Sequence, residues 1–193
     1  MRHPGNWIHL CVDMQRMFAE DTPWRVAWME KVSPEVIEVA GRHPERTIFT
    51  RFVPPENPEQ AVGAWRAYYR KWQEMTRERL SPEMIGLMPE LARFVPPGRV
   101  FDKMTYSPWV NGELDRRLQA ESIETIVFTG GETDVCVLAA VLGAIDLGYR
   151  AIVLTDAVCG SADETHDASL KLLGDRFSVQ LELLPTDGFL SRL

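Results

Sequence analysis

The chain has 193 residues, 45% hydrophobic and 25% charged, a size and balance that fit one globular domain and exclude disordered and fibrous classes. Its formal net charge of −7 argues against nucleic acid or an anionic membrane as partner, since either calls for a basic face. No apolar run reaches the roughly 20 residues needed to cross a bilayer, and the first residues show no signal-peptide pattern, so a cytoplasmic location is expected.

Short β-branched runs alternate with helical stretches along the chain. Strands are expected at Trp7–Val12, Arg46–Phe52, Val100–Lys103, Thr125–Thr129, Ala151–Thr155 and Ser178–Leu183. The first helix is placed at residues 34–42, with Ser33 as N-cap and Pro34 in the first turn. Further helices are expected over 59–79, 113–120, 134–147 and 164–173. Alternation of this kind calls for parallel strands joined by helical crossovers. The runs at 126–129 and 151–154 are apolar nearly throughout, as strands covered on both faces must be. The expectation is a single domain over 1–193, a three-layer α/β/α sandwich with a mostly parallel, Rossmann-like sheet of about six strands. In such open sheets ligands collect at the carboxyl ends of the strands.

Three strand ends bear reactive groups. The first closes on Asp13, the third on Lys103, and the fourth runs through Gly130-Gly131 into a helix with Cys136 in its first turn. Each has a plain structural explanation: a turn-forming Asp, a solvated Lys, a Cys used as small apolar packing. Their coincidence at one sheet edge favours chemistry. A thiol attacks as thiolate; a helix N-terminus and a nearby ammonium favour the anion; a carboxylate can take the thiol proton and return it to a leaving amine. The glycine turn also aims backbone N–H groups at one point, as an oxyanion hole requires. The pattern fits acyl transfer through a thioester. The other cysteines, Cys11 and Cys159, read as structural, because an odd, small number does not suggest a disulfide framework.

Asp13, Lys103 and the run Gly130-Gly131-Glu132-Thr133-Asp134-Val135-Cys136-Val137 together resemble the isochorismatase-like cysteine hydrolases. Leu154-Thr155-Asp156-Ala157-Val158 and His166-Asp167-Ala168-Ser169-Leu170 are similar to the same family, and the likeness spans roughly residues 7 to 183. The resemblance implies Cys136 as nucleophile, Asp13 as general acid/base and Lys103 as the stabilising charge. It also implies a non-proline cis peptide at Gly131–Glu132, with the N–H groups of Glu132 and Cys136 forming the oxyanion hole. In the strand order 3-2-1-4-5-6, Lys103 would start two strands from Asp13, roughly 10 Å away.

Nicotinamidases of this family carry an Asp-x-His metal motif after the second strand. Residues 50–58 here contain no histidine, and His3, His9, His43 and His166 do not cluster in sequence, so no catalytic metal and no cofactor are expected. The family's isochorismate-cleaving members typically lack the cysteine that stands here at 136. Hydrolysis of a C–N bond in a small amide, carbamoyl or ureido compound is therefore the leading expectation. Vinyl-ether hydrolysis through Asp13 without the thiol, and a silent ligand- or partner-binding module, are the alternatives.

The pocket is expected to be aromatic, with Phe18, Trp24, Phe52, Tyr106 and Trp109 as candidate substrate contacts and loop packing as the alternative for each. Arg51 either meets a substrate carboxylate or points to solvent. The run Trp65-Arg66-Ala67-Tyr68-Tyr69-Arg70-Lys71-Trp72 has the stripe of an amphipathic helix, serving as core, subunit interface or wall over the site. Oligomers are common among similar proteins, so a homodimer or homotetramer is expected.

Overall fold

A strand that is apolar on both faces is stable only when helices cover both. β1 (Trp7–Val12) and β4 (Thr125–Gly131) are buried at every residue. They lie at the centre of one six-stranded sheet in the order β3-β2-β1-β4-β5-β6. The others are β2 (Thr47–Phe52), β3 (Arg99–Lys103), β5 (Arg150–Cys159) and β6 (Leu181–Leu184), and every pairing is parallel. This computed structural model describes residues 3–193.

The pleat sends alternate side chains to opposite layers. Trp7, Cys11, Phe49 and Val127 join one core with α2 (Met29–Arg42), α4 (Pro89–Ala92) and α8 (Thr186–Leu190). Ile8, Leu10, Val12, Ile126 and Phe128 join the other with α5 (Glu113–Ala120), α6 (Leu138–Asp146) and α7 (Asp163–Arg176). The short α1 (Arg16–Ala19) and α3 (Ala64–Lys71) lie beyond the strand ends, in a third apolar cluster with Phe52, Tyr69 and Met75. The six strands and their order agree with the sequence reading.

Two helices depart from it. The first starts at Met29, and Pro34 lies inside it with Ser33 buried rather than capping. An internal proline costs about 3 kcal/mol, but Met29, Val32, Val36 and Val39 form one buried face, and such burial stabilises by about 1.5–3 kcal/mol per side chain. The expected helix over 59–79 is broken into α3 between two single 3-10 turns, Pro58–Gln60 and Gln73–Met75. Gly63, at φ 54, sets the break before α3, and Trp72, at ψ 50, ends it.

His9 lies at the centre of the sheet with no exposed surface. The Thr47 hydroxyl donates to the His43 carbonyl, so it accepts from His9 Nδ1 at 3.1 Å; Nε2 then accepts from Thr129 Oγ1 at 2.7 Å. Burial, with His43 as a lesser cause, lowers the imidazole pKa to about 3 from 6.5. Below 6.5 the unfolded chain takes up a proton that the folded chain refuses, so stability falls with pH down to about 3, by on the order of 5 kcal/mol. Urea midpoints at pH 7 and pH 4 check this. His9→Gln should flatten the difference, and an equally steep loss in that variant would assign it to other groups.

Candidate active site

β1 delivers Asp13 into the crevice with a backbone φ of 50, the left-handed region that non-glycine residues rarely occupy. Such conformations persist only when the surroundings enforce them, and they gather at functional sites. Here the enforcement is visible. The Asp13 N–H donates to Thr50 Oγ1 at 3.1 Å, and the Thr50 hydroxyl donates to Asp13 Oδ1 at 2.6 Å. Lys103 Nζ donates to Asp13 Oδ2 at 2.6 Å and to the Thr105 carbonyl at 3.1 Å. Both members of the ion pair are almost wholly buried. The gap of two strands is closed by Thr50, which fills the end of β2 between them, and by the length of the lysine. Nζ also stands 5.1 Å from the centre of the Phe52 ring.

Cys136 comes from the turn after β4. The Gly131–Glu132 peptide is cis. The next residues, Thr133–Val137, form one π-helical turn, with Val137 N–H donating to the Glu132 carbonyl at 3.0 Å, before α6 begins. Wide turns of this kind recur at functional sites. Gly130 lies against β1, where a Cβ would come within 2.1 Å of the Val12 carbonyl oxygen, so only glycine fits that approach. Cys136 as a residue is 7% exposed. Burial, reinforced by the Asp13 carboxylate, pushes its pKa well above the ordinary cysteine range, and Lys103 pulls it back only in part. Burial also opposes the Lys103 charge, but Asp13 and Cys136 outweigh it and raise its pKa. Burial and the neighbouring Asp13 thus favour the thiol form of Cys136, and Asp13 favours the charged form of Lys103.

Cys136 opens onto a cavity of about 310 Å³ walled by aromatic rings. Phe18, Trp24, Phe52 and Tyr106 line it, α3 adds Tyr68, and Trp72 follows just past the end of that helix. The aromatic helix thus serves as a wall as well as part of the third cluster. Glu132, Arg25 and Ser161 supply the polar part of the lining.

Trp109 is a correction: it does not line this cavity. Its indole N–H donates to the Ala140 carbonyl at 2.8 Å, and its ring stacks on Tyr149 at 6.0 Å. Gly143 of α6 makes room, since a Cβ there would fall 2.2 Å from the indole. Arg51 is paired with Asp102, directly opposite on β3, through bonds of 2.7 and 2.8 Å, and is likewise outside the cavity lining. Cys11 and Cys159 are free, buried thiols.

Sequence reasoning missed Thr50 and Gln15. Gln15 accepts from the Phe52 N–H at 2.7 Å and donates to the Phe52 and Ile85 carbonyls, fastening the loop after β1 to the end of β2. Their only sequence signal is polarity at strand ends, which is common to many turns.

The family model of the isochorismatase domain matches residues 8–183. Among curated relatives, an uncharacterised isochorismatase family protein of Bacillus subtilis, YwoC, is 35% identical over 98 residues, 47% of this chain and 52% of its own. The ureidoacrylate amidohydrolase RutB of Stutzerimonas stutzeri is 31% identical over 142 residues, 67% of this chain and 52% of its own. The chain thus spans about half the length of these relatives. A cysteine hydrolase from Pseudomonas syringae superposes with a TM-score of 0.85 at 23% identity, covering 99% of this chain and 93% of its own. An N-carbamoylsarcosine amidase from Thermoplasma acidophilum gives 0.75 at 20%, covering 94% and 97%. At these identities the solved structures establish the fold alone.

Proposed function

The chain belongs to the isochorismatase family, and from that premise we propose that it hydrolyses a C–N bond of a small amide, carbamoyl or ureido compound through a thioester on Cys136. The observation that carries this reading is the Asp13–Lys103 pair, 2.6 Å apart, buried beside a thiol that opens onto a cavity. The RutB relative, named for its action on ureidoacrylate, supports the choice of bond.

A raised thiol pKa supports Asp13 as the base, because a protonated nucleophile needs one within reach. As the Cys136 sulfur bonds to the substrate carbonyl carbon, the thiol proton passes to Asp13. The carbonyl oxygen becomes an oxyanion held by the N–H groups of Glu132 and Cys136. Collapse breaks the C–N bond, and Asp13 returns the proton to the departing amine. Water then attacks the thioester, Asp13 takes its proton, and release of the acid restores the thiol. Lys103 keeps its charge throughout and stabilises each anionic state. Phe18, Trp24, Phe52 and Tyr106, with Tyr68 and Trp72, would hold a flat or apolar acyl group. The residues act as one domain.

Ammonia release from a panel of small amides, N-carbamoyl and ureido compounds tests the reading. Release from at least one class is expected, and a panel inert at high enzyme concentration would count against an amidohydrolase.

A further inference from the structure

The run beginning at His166 has no part in this chemistry, yet it reaches the nucleophile turn. His166 lies in the first turns of α7, half-buried, and its Nδ1 is 2.8 Å from Thr133 Oγ1. Thr133 has no exposed surface, opens the π-helical turn that presents Cys136, and accepts the Leu138 N–H on its carbonyl. A second contact crosses from the same segment: Ser161 N–H donates to Glu132 Oε1 at 3.2 Å. Asp13 and Lys103 therefore face the thiol from β1 and β3, and the segment after β5 grips the opposite end of its turn.

A single π-helical turn is uncommon and recurs at functional sites, so the contacts that fix this one bear on where Cys136 stands. Among the described residues the Thr133 hydroxyl has one protein partner, the imidazole. Without it the buried hydroxyl is left unpaired, and the turn loses one of the two contacts from the segment after β5 that hold its start.

We propose that His166 is a positioning residue, which through Thr133 sets where the Cys136 sulfur and the Glu132 N–H stand relative to Asp13 and Lys103. This rests on Cys136 as nucleophile. Loss of such positioning affects the chemical step more than ground-state binding, because His166 is not among the residues that line the aromatic cavity.

The test is a double-mutant cycle with His166→Ala and Thr133→Val, the latter keeping the shape and removing the hydroxyl. Each should lower kcat about 10- to 100-fold with KM changed less than about threefold, and the double variant should be no worse than either single. His166→Asn, whose amide can stand where Nδ1 stands, should recover most of the rate. Alkylation of Cys136 by iodoacetamide, followed by peptide mass, needs no substrate; it should slow in both single variants by the same factor and recover in His166→Asn. Unchanged kcat and alkylation in His166→Ala, or losses that multiply in the double variant, would overturn the proposal. Cys136→Ala run alongside separates the two readings. Full turnover there removes the nucleophile assignment itself, whereas its inactivity beside a fully active His166→Ala removes only the positioning role.

Discussion

Cys136→Ala should lower ammonia release by at least about 10³-fold and leave the fold intact. The factor follows from removing the atom that forms the covalent intermediate, after which the remaining groups can only orient water. Stability should change by less than about 1 kcal/mol, because alanine fits the small buried site and no bond of the ion pair is lost. Cys136→Ser should fare little better, since a hydroxyl holds its proton more tightly than a thiol. Circular dichroism and a urea midpoint confirm the fold; rates on the best compound of the panel give the factor.

The second large effect falls on stability. Lys103→Met keeps the length of the side chain and removes its charge, leaving the Asp13 carboxylate, 1% exposed, with the neutral Thr50 hydroxyl and Cys136 thiol as its side-chain partners among the described residues. Removing one member of a buried pair costs about 3–5 kcal/mol, because the other charge stays behind uncompensated. For a chain of this size that is a fall in Tm of roughly 10 °C. Adding Asp13→Asn to Lys103→Met should restore part of the loss, and a double variant as unstable as the single one would show that the cost lies in packing instead. Activity should be lost in both.

Much of this arrangement is legible in the chain. Apolar runs of strand length, separated by helical stretches, determine a parallel sheet covered on both faces, and the burial of β1 and β4 at every position is the physical result. Asp13, Lys103 and Cys136 stand at strand ends, where parallel sheets gather their chemistry, and the structure brings Asp13 and Lys103 to 2.6 Å. What sequence could not supply is the cross-strand detail. Thr50 looks like any strand threonine until register sets it between β1 and β3, and Thr133 looks like any residue of the turn after β4 until α7 brings His166 against it. Pro34 misled because a local helix-start signal competes with an apolar face set by tertiary packing. Trp109 misled for a related reason: proximity to Lys103 in sequence does not determine on which side of α6 an indole lands, and Gly143 decides it.

The proposed chemistry turns on a bond between Cys136 and the acyl group. Wild-type enzyme mixed with the best compound of the panel, quenched in acid within the first turnovers and measured by intact mass, tests this directly. The predicted result is an added mass equal to the acyl group, located on the peptide containing Cys136 and absent from Cys136→Ala. Rapid turnover with no adduct at any quench time, together with undiminished ammonia release by Cys136→Ala, would contradict it.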